Sequence, residues 1–300
     1  MGNVMSLELI YATDLHGDIK KYEDVFAYAN RYDIKLIHLG ADLLPKGEGM
    51  LKAQKKFIKG YLKNFYVRCH NEGIKVLAFF GNDDIYTRKK YFIQSIGEYG
   101  DLLDEVPFKK KGYSFKAYGY VPDHPFGLKN GVKLDNKFSK PSELYPRIIP
   151  TTYEGKIYRV KKLTDPVDVN EKGVYTIDDL SEYFKKKGTI EDDLKNIRIG
   201  KKTVMAIHTP PSHVNLDVCP GFRRVGSDSV LHFIEKKQPL CVLSGHIHRC
   251  VEMGEWKTYI GKTLVIQPGQ ADKQTTMVHV EVEDNYVDAQ IVVGVKFDWV

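Results

Sequence analysis

Two histidines one residue apart, His246 and His248, follow the segment Val242-Leu243-Ser244-Gly245. On extended backbone, side chains two positions apart point the same way, so both imidazoles can reach one site. Imidazole is a common metal ligand, and a pair placed just past a buried strand is a candidate for two metal bonds. Four more apolar runs end in residues of the same kind. Residues 7–12 lead into Asp14 and His16, 35–39 into Gly40-Ala41-Asp42, 74–80 into Gly81-Asn82-Asp83-Asp84, and 203–207 into His208. Taken singly, each has a plain structural reading. An Asp after a strand serves as a turn or helix cap, an Asn after Gly is an ordinary turn, and a His before Pro210-Pro211 can simply be exposed. Together, five strand ends each supply a metal-competent side chain, which points to one shared metal site.

Such a site needs those strand ends at one edge. The runs at 7–12, 35–39 and 74–80 alternate with amphipathic helix patterns. One covers 19–32, with Val25, Phe26 and Ala29 on one face. The other covers 51–69, with a stripe of Leu51, Ile58, Leu62, Phe65 and Cys69. This alternation predicts a parallel sheet with crossover helices, and in such a sheet ligands bind beyond the carboxyl ends of the strands. A further helix is predicted near 88–96 and a strand over 113–120. Residues 121–150, with Pro122, Pro125, Pro141, Pro146 and Pro150, read as a long loop of the kind that serves as a lid or binding loop. Helix signals return over 176–187, with Thr176 as N-cap and Gly188 beyond the end, and again from the cap Ser227 to about 237. Strands are predicted at 240–243 and 263–266. A closing hairpin is predicted from 277–282 and 286–293 around Asp284-Asn285. No repeat and no domain boundary is visible, so the expectation is one domain over 1–300 with an irregular insertion at about 109–200.

Composition narrows the class. The chain has 300 residues, 42% of them hydrophobic, an ordinary globular value. Its net charge of +6, from 45 basic and 39 acidic residues, suits anionic ligands without establishing nucleic-acid binding. No apolar run approaches the roughly 20 residues of a membrane span, and residues 1–6 do not begin a signal peptide. A cytoplasmic protein with no membrane partner is expected. Cys69, Cys219, Cys241 and Cys250 form no C-x-x-C pair and read as reduced structural thiols.

The ordered motifs Asp14-Leu15-His16, Gly40-Ala41-Asp42, Gly81-Asn82-Asp83-Asp84, His208 and Gly245-His246-Ile247-His248 resemble those of the calcineurin-like metallophosphoesterases. That family's pattern is D-x-H, G-x-D, G-N-H-D/E, a lone His, and G-H-x-H. The resemblance implies an α/β fold, a four-layer sandwich of two facing mixed sheets flanked by helices. It implies one metal held by Asp14, His16, Asp42 and His248, and a second held by Asp42, Asn82, His208 and His246, with Asp42 bridging. Mixed imidazole and carboxylate donors suit Mn, Fe or Zn better than Mg or Ca. Two such ions can share a water and make it hydroxide near neutral pH. The function implied is a metal-dependent phosphoesterase that attacks phosphorus with that hydroxide, with a small phosphoester or nucleotide as substrate and no obligate protein partner. Two other readings stay open. A nuclease would be expected to carry a basic and aromatic stripe, which is not visible, although nucleic acid remains open as a substrate. A non-catalytic scaffold of the same fold would be expected to have lost ligands, and here the set is complete.

One position departs from the family pattern. Asp83 stands where relatives have a histidine, usually cast as the proton donor to the leaving group or as a phosphate contact, while Asp84 keeps the acidic position. An ionised carboxylate neither donates a proton nor attracts phosphate, so Asp83 acts as an acid only if burial or Asp84 raises its pKa well above about 3.9. Phosphodiesters are therefore favoured over monoesters, whose second negative charge Asp83 repels. Asp84 is expected to brace the Asn82 turn. Asp18 is read either as an acceptor orienting a ligand imidazole or as a helix N-cap. His124 is a candidate proton donor or phosphate contact, against the plainer reading of a loop histidine. Asn82, Arg223 and Arg224 are candidate substrate-binding residues, the two arginines against a solvated basic loop. His38 and His279 are read as packing residues, and Lys109–Lys111 and Lys185–Lys187 as solvated faces.

Overall fold

The strand Ser6–Ala12 shows why the sheets form. Leu7, Leu9 and Tyr11 alternate with Ile10 and Ala12, and all five are buried. Both faces are covered, so the run is apolar on both sides. The computed structural model describes residues 6–47, 49–104, 106–143, 147–153, 156–162, 165–219, 223–250, 252, 255–270, 273–283 and 286–294. In it, Ser6–Ala12 lies parallel to Leu36–Leu39, which continues parallel to Lys75–Ala78 and Gly100–Leu102. On its other side it pairs antiparallel with Thr276–Glu283, and that strand pairs with Tyr286–Val293. The result is a six-stranded mixed sheet.

A second six-stranded sheet has the same plan. Tyr113–Tyr118, Thr203–Ile207, Cys241–Leu243 and Thr263–Ile266 run parallel, and Phe108–Lys110 and Lys257–Ile260 close its edges antiparallel. The two sheets face each other across one apolar core, where Leu9, Tyr11 and Leu77 of the first meet Phe115, Val204 and Leu243 of the second. The outer face of the first sheet is covered by the helices Ile19–Arg31, Met50–Phe57, Lys63–Asn71 and Lys89–Ile96. The outer face of the second is covered by Ile190–Asn196 and Asp228–Lys237. The four-layer α/β sandwich is thus present.

Several expectations change in detail. The helix expected over 51–69 is continuous but passes through a π turn at Ile58–Leu62, which contains Gly60. π structure is rare and occurs mostly as single-turn insertions of this kind in α-helices. Residues 147–150, expected to lie in a loop, belong to the strand Arg147–Tyr153, which pairs with Lys156–Lys162 in a hairpin. Thr176 ends the strand Gly173–Thr176 instead of capping a helix, and that strand pairs with Val167–Asn170. The N-cap is Asp179, whose side chain accepts from the Glu182 N–H at 3.0 Å. The irregular insertion expected from 109 begins later, because Phe108–Lys110 and Tyr113–Tyr118 are strands of the second sheet. The added elements lie between Val121 and Asn196. Ser227 does cap its helix, accepting from the Val230 N–H at 3.0 Å. The closing hairpin has the expected strands, while its turn at Asp284-Asn285 lies outside the described residues. All four cysteines are unpaired. Among the described residues no helix is long and apolar enough to cross a membrane.

Candidate metal centre

Five of the parallel strands deliver the proposed ligands through tight, polar loops. Asp14, His16, Asp42 and His246 all adopt left-handed backbone, with φ of 57°, 45°, 56° and 71°. Such conformations are uncommon for residues other than glycine and cluster at functional sites. They hold because the loops are cross-braced. The N–H groups of Asp14 and His16 donate to the carbonyls of Ala41 and Asp42 at 3.0 and 2.9 Å. The two sheets also meet tightly here. A Cβ on Gly245 would lie 2.2 Å from Thr13 Oγ1 and 2.6 Å from Asp14 Oδ2, so only glycine allows the second sheet's loop to approach. Tyr11 donates its hydroxyl to the Ser244 carbonyl at 2.9 Å across the same seam.

The ligand atoms converge in two groups. Those of Asp14, His16 and His248 lie within 4.8 Å of one another, as do those of Asp42, His208 and His246. His16 Nε2 and His248 Nε2 are 3.0 Å apart, and His248 Nε2 is 3.5 Å from Asp14 Oδ1. His208 Nε2 is 3.2 Å from Asn82 Oδ1 and 3.3 Å from Asp42 Oδ2. Backbone groups fix both carboxylates. The His246 N–H donates to both oxygens of Asp14 at 3.1 and 3.0 Å, and the Asp83 N–H donates to Asp42 Oδ1 at 2.9 Å.

The electrostatics ask for positive charge. Burial raises Asp14 and Asp42, but the imidazoles outweigh it, pulling Asp14 below the ordinary carboxylate range and Asp42 to about 2. Burial opposes charge on His208, yet Asp42 and Asp14 push it up to about 9. Burial lowers His16 to about 4, and burial beside His208 and His124 lowers His246 well below its ordinary value. The positive charge taken up as a proton on His208 is what a cation would otherwise supply. The nitrogens Nδ1 of His16 and Nδ1 of His208 are buried without partners. This donor set fits two transition ions.

No family model matches the chain, and no curated protein does either. Solved structures do match. One, 13% identical, has a TM-score of 0.56 and covers 96% of this chain and 99% of its own. The protein TT1561 of Thermus thermophilus is 15% identical with a TM-score of 0.49, covering 95% and 99%. A dimetal phosphatase from Danio rerio is 10% identical with a TM-score of 0.48, covering 95% and 98%. Two facing mixed sheets carry the motifs in order at one edge. The fold is shared with the first of these structures over nearly its whole length.

In this fold all seven proposed ligands meet. A cavity of about 780 Å³ opens beside them, touching Asp42, Asn82, Asp83, His246 and His248. His124 lies on its wall, stacked on His246 with ring centroids 5.3 Å apart and planes at 12°, and its Nε2 is buried without a partner. Arg223 and Arg224 also line it. Arg224 is tied to Asp217 Oδ1 and Asn215 Oδ1, both at 2.8 Å. Asp83 reaches the cavity, its side chain 30% exposed and 3.9 Å from His16 Nδ1. Burial and then the Asp42 charge push its pKa up to about 7. Burial therefore does raise Asp83, the condition set above for it to act as an acid.

Asp84, Asp18 and His38 do not line the cavity. Asp84 is fully buried and accepts the N–H groups of Gly81, Leu43 and Leu44 at 3.0, 3.1 and 2.8 Å. It braces the Asn82 turn against the Asp42 loop. Asp18 accepts from the Lys20 N–H at 3.0 Å as the N-cap of Ile19–Arg31. His38 is packed among Tyr11, Phe79 and Phe115.

Three participants were missed in the sequence. Lys46 lines the cavity from the loop after Asp42; a lysine beside Gly47 close to a ligand was an available signal. Asn130 donates to the carbonyls of Asn82 and Asp84 at 3.2 and 2.9 Å, and accepts from the Tyr86 N–H at 3.2 Å. Lys129 is fully buried, paired with Asp123 at 2.6 Å. Nothing in a loop sequence marks those last two as buried.

Proposed function

We propose that this chain is a dinuclear metal-dependent phosphoesterase that favours phosphodiesters or nucleotides. The observation that carries the reading is the pair of convergent donor groups, Asp14/His16/His248 and Asp42/His208/His246, at the edge of one cavity. Asp14, His16, Asp42 and His248 would hold one ion, and Asp42, Asn82, His208 and His246 the other. When bound, the ions supply Lewis acidity toward phosphoryl oxygens and acidify water. The chain's own groups do the rest. The His246 and Asp83 N–H groups orient the two carboxylates. Lys46, Arg223 and Arg224 place positive charge on the cavity wall for an anionic ester. Asp83, directly beside Asp42, adds a group that repels a second phosphate charge when ionised and holds a proton when neutral. His124 is kept neutral by burial and offers an unpartnered nitrogen next to His246.

The test is metal analysis of purified protein, followed by a phosphoester panel with Mn, Ni, Zn or Fe supplied. About two ions per chain and turnover of aryl diesters or nucleotides support the proposal. A protein that binds no transition metal and cleaves no ester would be a scaffold of the same fold.

A further inference from the structure

Beside the candidate ligands the cavity forms a recess that is also lined by Val121, Leu128, Val132, Val225 and Phe126. Phe126 is 60% exposed and its ring stands edge-on to that of His124, with centroids 6.1 Å apart. A planar apolar group packed on it would remove the ring from water. The recess is also preformed. Val121–Pro122 pairs with Val132–Lys133, and the Val121 N–H donates to Gly131 at 3.1 Å. Gly131 has a φ of +62°, and a Cβ there would lie 2.7 Å from the Asn82 Cα. Asn130 bonds the Asn82 and Asp84 carbonyls, while the buried Lys129 ties Asp123 and the His124 carbonyl, at 2.6 and 2.8 Å. The wall is therefore locked directly onto a ligand-bearing turn. A wall held this way does not need to be ordered when substrate binds, which favours affinity.

We infer that this recess binds the organic group of the ester, and that the substrate is a phosphodiester or nucleotide carrying a flat aromatic group that packs on Phe126. The inference rests on the phosphoesterase reading and deepens it. Aromatic rings accept planar groups offset-stacked or edge to face.

Esters of para-nitrophenyl phosphate whose second group is methyl, octyl or naphthyl share a leaving group and a single negative charge. The naphthyl ester is expected to exceed the methyl ester in kcat/KM by about tenfold or more, mainly through KM. Phe126→Ala is expected to reduce that ratio to below about threefold. Phe138→Ala removes a ring that is 80% exposed and off the cavity, and leaves the ratio as it was. Equal turnover of all three esters overturns the recess and leaves the phosphoesterase reading intact. An octyl ester that outranks the naphthyl ester overturns the aromatic assignment. If no ester is cleaved, calorimetry with naphthyl phosphate against methyl phosphate reads the recess without turnover. Tighter naphthyl binding that is lost in Phe126→Ala supports it, and equal binding overturns it.

Discussion

The carboxyl edge of the first sheet carries the anions, and that of the second carries the imidazoles. Asp14 and Asp42 come from the first, with His16 and Asn82; His208, His246 and His248 come from the second. The first edge does bring His16, Asp42 and Asp83 together, but each of the other two donor groups draws on both sheets. The difference has an energetic meaning. Buried carboxylates are costly unless paired, so Asp14 and Asp42 gain their counter-charges only when the second sheet docks. The site and the packing of the two sheets are one event.

The strongest way to break that relation is at the carboxylate that serves both groups. Asp42→Asn is expected to abolish hydrolysis and lower occupancy of both metals, while His248→Ala chiefly weakens one. Elemental analysis and a diester assay on the two variants check this, and an active Asp42→Asn protein with two tightly held ions would falsify the assignment. The seam itself comes next. Gly245→Ala places a methyl against Thr13 and Asp14, and overpacking of this kind costs about 1–3 kcal/mol. Thermal melts should show the loss, and metal content should fall with it, because the sheets are pushed apart where the ligands meet.

A smaller effect is expected at Asp83. Asp83→His restores the family's residue and removes a carboxylate that is next to Asp42. It should narrow the preference for an aryl diester over an alkyl monoester, since general-acid help is worth roughly 10²–10⁴-fold and a carboxylate repels the dianion. Matched kcat/KM values in both proteins decide it, and a wild type that already prefers the alkyl monoester sinks the argument. A last effect is read in acid. His38, of the first sheet, is buried without a partner and burial lowers its pKa from 6.5 to about 3. The unfolded chain takes up the proton below pH 6.5 while the folded chain does so only near pH 3. Stability is therefore lost as pH falls across that window, at about 1.4 kcal/mol per pH unit. His38→Phe should flatten this limb in denaturant titrations. An unchanged slope would mean that His38 is solvated.

The candidate ligands were legible because buried parallel strands are apolar runs, and the polar loops that follow five of them stand out against them. His208 and the His246/His248 pair needed nothing more than that contrast. The hairpin Arg147–Tyr153 with Lys156–Lys162 was not legible, since Pro150 argues locally against a strand. Thr176 resembled a cap as well as Asp179 did, and only the pairing of Gly173–Thr176 with Val167–Asn170 separates them.

What the amino-acid order determined on its own was the set of donors and the strands that carry them. Both are local properties, read from side-chain type and from the period of burial. What only the tertiary structure decided was which residues share a space. Lys129 is buried because Asp123 meets it, Asn130 matters because the Asn82 turn lies against Gly131, and burial, then the Asp42 charge, raises the pKa of Asp83. Those are interactions between segments far apart in sequence. Their energies depend on distance and on excluded solvent, and neither exists until the two sheets have closed on each other.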